Sequence, residues 1–235
     1  MTGVQTCALP IFLDADDWWF PGKLEAQLRV GADPKVALVR CLPAHRDEPV
    51  PDTLDFGTLW RGNAIINSSV MLRRVVFAEL GGFDEDRALI SVEDYNLWLR
   101  VAAAGGVIAT CQEVLVRYTR GIGLSSQTGK FLEAQLRNIQ AIGGAMGLPE
   151  ARVRAKQAEL LADFGRRAVF ERDLPAARRY LLRSLRLRPD IRTAAHLGIS
   201  MAPAAALEAR RKAVALLRPR ELGVDEAADR AAMIL

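Results

Sequence analysis

The stretch Phe12-Leu13-Asp14-Ala15-Asp16-Asp17-Trp18-Trp19 decides the reading of this chain. An apolar pair runs straight into three carboxylates, followed by a proline-opened segment, PGKLEAQL, at 21–28. Phe12-Leu13 reads as the end of a buried strand, with the acids at its carboxyl end. Pro21 reads as the opening of a helix whose apolar face is Leu24 and Leu28. Two readings of the acids stand side by side. Asp caps helices and starts turns, so DADD can be a polar connection. Alternatively, Asp14 and Asp16, two apart, project from one face of an extended segment. Carboxylates so placed suit Mg²⁺ or Mn²⁺, which take their remaining ligands from water and phosphate oxygens rather than from an all-protein cage.

Working outward, strand and helix signals alternate. VALVRCL at 36–42 reads as a strand, 43–52 as a loop, and TLDFGTLWRGN at 53–63 as a short helix entering a turn. SSVMLRR is a strand, and VVFAELGG a short helix stopped by Gly81-Gly82. SVEDYNLWLRVAAAGG at 91–106 is the clearest helix, with Leu97, Leu99, Val101 and Ala104 interleaved among polar positions and Gly105-Gly106 at its end. VIATC and EVLVRYT read as two short strands, and RGIGLSSQTG as a glycine-serine loop. From Lys130 on, the pattern is helical. An α/β sheet followed by an α-helical C-terminal region is the expected architecture. Within that region Gly165, Ala177, Leu181, Ser184 and Pro189 fall at the spacings of a tetratricopeptide helix pair near 158–191. A single such pair needs neighbours to pack on.

A second acidic pair, Glu93-Asp94, opens the strong helix. As structure, SVED is a capping box, with Ser91 as N-cap and Asp94 reaching back, and acids there suit the helix dipole. As chemistry, Asp94 on a rigid helix start is a general base able to take a proton from an incoming hydroxyl.

Taken in order, FLDADDWWFPGKLEAQL, GNAIINSSVMLRRVVFAELGGFDED, SVEDYNLWLRVAAAGG and VLVRYTRGIGLSS resemble the family-2 glycosyltransferases of the glycosyltransferase A fold, over roughly residues 12–140. The resemblance implies a partial glycosyltransferase A (Rossmann-like) domain at 12–140 and a helical region at 141–235. It implies that Asp14 and Asp16 hold the metal and, with Asp17, the donor diphosphate. It makes Asp94 the catalytic base, with Glu93 beside it. Asn63, Ser68 and Ser69 would border the donor sugar and acceptor. Trp98 and Arg100 match the helix on the acceptor side, where Trp98 is also an ordinary core residue by type and Arg100 an ordinary ion-pair partner. Many relatives carry a His in the loop that here reads RYTRGIGLSS. Arg120 falls near that place; it can bond a diphosphate bidentately but cannot ligate a metal. The implied partners are a nucleotide-diphosphate sugar and a glycan, lipid-linked or protein acceptor, and the implied cofactor is Mg²⁺ or Mn²⁺.

Two expectations concern the amino-terminal end. Residues 1–11, MTGVQTCALPI, resemble the conceptual translation of a sequencing-adapter oligonucleotide, and would then be no part of the natural protein and be set aside in reading its fold. The family's earlier P-x-Y-N and D-D-G-S strands, which grip base and ribose, do not precede Asp14. A truncated chain is expected, lacking about 80–100 residues of the nucleotide-binding half and binding nucleotide sugar poorly.

Composition narrows the alternatives. Half the 235 residues are apolar and 26% are charged, as in a globular protein. No apolar run reaches the ~18 residues that span a bilayer. The three cysteines, Cys7, Cys41 and Cys111, show no metal spacing, which suits a reducing cytoplasm. The net charge of +4 divides into −3 for residues 1–149 and +7 for 150–235. The basic part carries Arg178, Arg179, Arg183 and Arg186, a face that would dock a protein partner or lie on anionic lipid at the inner membrane face. That defines the competing reading, a non-enzymatic helical interaction module. No basic stripe is interleaved with aromatics, so nucleic acid is not an expected partner.

Overall fold

A computed structural model describes residues 10–44, 50–119 and 128–202. The first part is a mixed sheet with helices, the second a run of helices. Strands β1 (Trp18–Trp19), β2 (Val36–Pro43), β3 (Thr53–Leu54), β4 (Val70–Leu72) and β5 (Val107–Arg117) form one sheet in the order β1-β5-β2-β4, with β3 also on β5. Only β2 and β5 run parallel, with Cys41 level with Cys111; the other pairings are antiparallel. Both cysteines are buried thiols. The two strands expected at 107–111 and 113–119 are one long strand, whose register with β2 slips after Cys41. Such an irregularity adds twist without ending the strand.

Helices α1 (Lys23–Val30), α2 (Phe56–Arg61), α3 (Arg74–Glu79) and α4 (Glu93–Ala103) belong to this part. The α1 expectation is corrected twice. The helix begins at Lys23, after a left-handed Gly22 at φ 82°, rather than at Pro21. Its inward face is polar: Leu24 and Leu28 are 39% and 52% exposed, while Lys23, Ala26 and Gln27 are buried. The reason is hydrogen bonding. Gln27 Nε2 donates to Val39 O (3.0 Å) and Ser69 O (2.8 Å), and Lys23 Nζ donates to Gln27 Oε1 (2.7 Å) while lying 4.1 Å from the Trp19 ring centre. An unmet buried amide costs more than an exposed leucine.

Helix α4 forms as expected, burying Leu97, Trp98, Leu99 and Val101 completely. The capping box does not form. Ser91 is left-handed (φ 83°), Val92 is the N-cap with no side-chain cap, and Asp94 Oδ1 accepts from the adjacent Tyr95 N–H at 2.6 Å. Gly81, Gly82 and Gly105 end α3 and α4 at positive φ, where only glycine is unstrained.

The remaining helices are α5 (Thr128–Ala145), α6 (Glu150–Glu171), α7 (Leu174–Leu187) and α8 (Ile191–Met201). Helices α6 and α7 are an antiparallel pair. Ser184 Oγ donates to Ala158 O (2.7 Å), Gly165 lies against Leu181, and Ala168 packs with Ala177. Asp173 and Asp190 cap α7 and α8 by accepting from Ala176 N and Thr193 N. The helical region is not separate from the sheet part. Ile139 and Ile142 of α5 and Val153 of α6 share one apolar cluster with Leu38, Leu72 and Trp98.

Candidate functional site

Asp14 is not delivered by a strand. Ile11 makes a single bridge to Met71, and Leu72 N donates to Pro10 O (3.0 Å); beyond that the segment leaves the sheet. Leu13 is exposed, and Phe12 is held instead by rings, 5.0 Å from Phe83, 6.1 Å from Phe77 and 6.2 Å from Trp98. Trp98 is thus placed in the core under the acid segment.

The acids are then tied down one by one. Asp14 N donates to Ser68 Oγ (3.0 Å), and Asn67 Nδ2 donates to Asp14 Oδ1 (2.9 Å). Asp17 Oδ1 accepts from Thr119 N (2.9 Å), and the Thr119 hydroxyl donates to Asp16 O. Trp19 Nε1 donates to Ser68 O (2.8 Å). Ser68 and Ser69 are therefore buried supports of this loop: the Ser69 hydroxyl is used on Ile66 O (2.6 Å). Arg100 is likewise occupied, donating to Leu80 O and Gly82 O at 2.6 Å each and to Asn96 Oδ1 at 2.8 Å, so that it fixes the turn before Phe83. Arg120 lies outside the described residues.

Glu93 and Asp94 come up beside these acids from the start of α4. Burial pushes the Asp94 carboxyl up to about 7; Glu93 and Asp14 add repulsion, while the Tyr95 N–H and the Asn63 amide ease ionisation. The residue keeps a partial opening to solvent, but protein atoms crowd its carboxyl on most sides, and that crowding dominates. Asn63 itself is exposed, with its Oδ1 accepting from Ile65 N (3.1 Å). Tyr118 reports the same clustering. Its hydroxyl proton is held more tightly by burial and then by Asp17, Asp14, Asp16 and Asp94 in turn. One phenol thus senses carboxylates from two segments about 80 positions apart.

Tyr118 and Asn67 were not among the residues expected in the site. Asn67 carries a readable signal, since it precedes Ser68-Ser69 in the segment that resembles a donor-bordering block. Tyr118 has none beyond its place after a strand.

Two acceptor atoms in this cluster, Asp17 Oδ2 and Glu93 Oε2, are buried with no hydrogen-bond partner, as is Asn67 Oδ1. Asp17 is only 7% exposed. Buried acceptors without donors invite a cation or water. Among the described residues no three His, Cys, Asp or Glu side chains are grouped so as to hold a metal ion by themselves. The donor set is all oxygen and incomplete, which fits Mg²⁺ or Mn²⁺ sharing its shell with phosphate better than zinc. Asp14 and Asp16 are the residues that would hold such an ion, Asp16 being exposed.

A cleft lies elsewhere. It is an apolar space of about 290 Å³ between the end of α1 and the outer edge of β4, lined by Leu28, Gly31, Val39, Met71 and Arg73, with no acid in it. The arginine face of α7 is partly committed inside the molecule. Arg178 donates twice to Ser200 O, Arg183 pairs with Glu133, and Arg179 lies over the Tyr180 ring. Among the described residues no helix is long and apolar enough to cross a membrane.

No protein-family model, no curated protein and no solved structure matches this chain.

Proposed function

We propose that this acid cluster is the diphosphate and base end of an inverting glycosyltransferase, which moves a sugar from a nucleotide-diphosphate donor to a hydroxyl of a glycan, lipid-linked or protein acceptor. The observation that carries the reading is the company of Asp94: its carboxyl is raised to about 7 and sits within the field of Asp14, 80 positions earlier. A general base is most effective with its pKa near the working pH. The Asp94 carboxylate takes the proton of the acceptor hydroxyl. The freed oxygen pair attacks the anomeric carbon, the bond from that carbon to the diphosphate oxygen breaks, and its electron pair leaves with the diphosphate. Attack opposite the leaving group inverts the centre. Asp14 and Asp16 would hold a divalent ion, which would compensate the charge of the departing diphosphate. Asp17, fixed by Thr119, keeps that loop in shape.

The competing reading, a helical interaction module, draws less support. Its helices share the core of the sheet part, and three of its four arginines are spent on internal contacts. Metal dependence separates the two, since a docking module is indifferent to EDTA. In a form of the enzyme competent for transfer, Asp94→Asn is expected to lower transfer by about 10²–10⁴-fold while donor binding persists. Unchanged transfer removes Asp94 from the role of base.

A further inference from the structure

Two buried cations hold the segment that supports Asp14, and neither has a part in the chemistry above. Lys156, on α6, is 5% exposed. Its ammonium donates to Arg61 O, at the last residue of α2, and to Glu159 Oε1 at 3.0 Å. Arg40, on β2, is 3% exposed. It donates from Nη1 to Ala64 O (2.7 Å) and from Nε to Thr110 Oγ1 (3.1 Å). Four residues before Lys156, Arg152 lies 5.9 Å from the Phe56 ring centre and 5.8 Å from that of Trp60, gripping α2 from the same face of α6.

A buried charge is tolerated only where its hydrogen bonds are met. Each cation therefore demands a carbonyl at a set place, and the two carbonyls flank Gly62-Asn63. From Ala64 the chain passes through buried Ile65 into the 3-10 turn Asn67–Ser69, where Ser69 N bonds to Ile66 O (2.9 Å). That turn presents Asn67 Nδ2 and Ser68 Oγ to Asp14. Only Ile65 and Ile66 separate the clamped Ala64 from Asn67, which holds the carboxylate.

We propose that Lys156 and Arg40 are positioning residues that clamp Arg61 and Ala64, and so fix Asn67 and Ser68 against Asp14, making helix α6 of the C-terminal region a working part of the acid site. The inference rests on Asp14 being a site residue, as proposed above. It assigns the helical region a task other than docking a partner.

The test is amide hydrogen exchange by NMR on the 235-residue chain, in Lys156→Met and, separately, Arg40→Lys. Methionine keeps the length of the side chain without a donor; lysine keeps the charge but cannot reach two acceptors in a fork. The expected result is exchange at the Asp14 amide about tenfold faster than in the parent, with a shifted Asn67 side-chain amide resonance. The amides of Val39 and Cys111 in β2 and β5 keep their rates. An unchanged Asp14 amide in both variants overturns the proposal, as does an equal rise at Val39 and Cys111, which would be plain loosening of the fold. If Lys156→Met does not fold, Arg40→Lys decides alone. The readout needs neither donor nor acceptor, so the clamp can hold while Asp94→Asn leaves transfer unchanged in a form of the enzyme competent for it, an outcome that keeps the clamp and loses the transferase reading.

Discussion

Asn67 Nδ2 donates to Asp14 Oδ1 across 2.9 Å of space and 53 positions of chain. The carboxylate can only accept, so the bond fixes which way the amide faces. Its other atom, Oδ1, is left buried without a donor. With Asp14 as the proposed ion's ligand, Asn67 would be its outer support. Asn67→Ala is expected to weaken Mn²⁺ binding by about tenfold or more while changing stability by about 1 kcal/mol or less. A Mn²⁺ titration paired with thermal melts checks both. Equal affinity in the two proteins would detach Asn67 from the site.

Asp94 gives a pH signature with a definite sign. Its folded carboxyl titrates near 7, against an ordinary value of 3.8. The folded state thus binds this proton more tightly than the unfolded chain does. The contribution to stability is full below about pH 4 and declines as pH rises through 7. The gap corresponds to at most about 4 kcal/mol. Asp94→Asn removes it, so in metal-free buffer the variant should gain on the parent steadily between pH 4 and 7.5 (roughly that window). Chemical denaturation at several pH values measures the difference. A constant offset across the range would contradict the placement of Asp94. Transfer itself should rise with pH through about 7, as the base ionises.

The helix pair α6–α7 depends on close approach. A Cβ on Gly165 would stand 2.6 Å from Leu181 Cγ and 2.7 Å from its Cδ2, whereas one on Gly198 in α8 meets nothing within 4 Å. Gly165→Ala is expected to destabilise by about 1–3 kcal/mol, net of its helix gain. Gly198→Ala should stabilise by about 0.5–1 kcal/mol. Thermal melts of the two variants run side by side decide this, and similar effects from both would refute the tight crossing.

How far the sequence was legible depends on which force held each element. Helix α4 was plain because its apolar periodicity is also its burial: Leu97, Leu99 and Val101 are fully inside. The α6–α7 pair was readable because small residues at contact points leave a spacing that few other arrangements need. The polar inward face of α1 is not legible because Gln27 goes inward to meet the carbonyls of Val39 and Ser69 and Lys23 goes inward to meet Gln27 Oε1, and no periodicity of apolar residues encodes a polar bond to a distant strand. Phe12-Leu13 reads as a strand end, but the anchor of Phe12 is a cluster of rings from Phe77, Phe83 and Trp98, contributed by residues far along the chain. The acids of the site were visible as motifs. Asn67 has a signal in its place before Ser68-Ser69, whereas Lys156 and Arg40 have none, since each acts through a backbone carbonyl that only the fold brings near.

The most direct measurement of the central claim is Mn²⁺ binding to the chain with and without inorganic pyrophosphate, repeated in Asp14→Asn and Asp16→Asn. If the acid cluster is a metal-diphosphate site, pyrophosphate should strengthen Mn²⁺ binding in the parent by about tenfold or more, and each substitution should abolish that gain. Mn²⁺ affinity indifferent to pyrophosphate, or unaltered by both substitutions, would contradict the account.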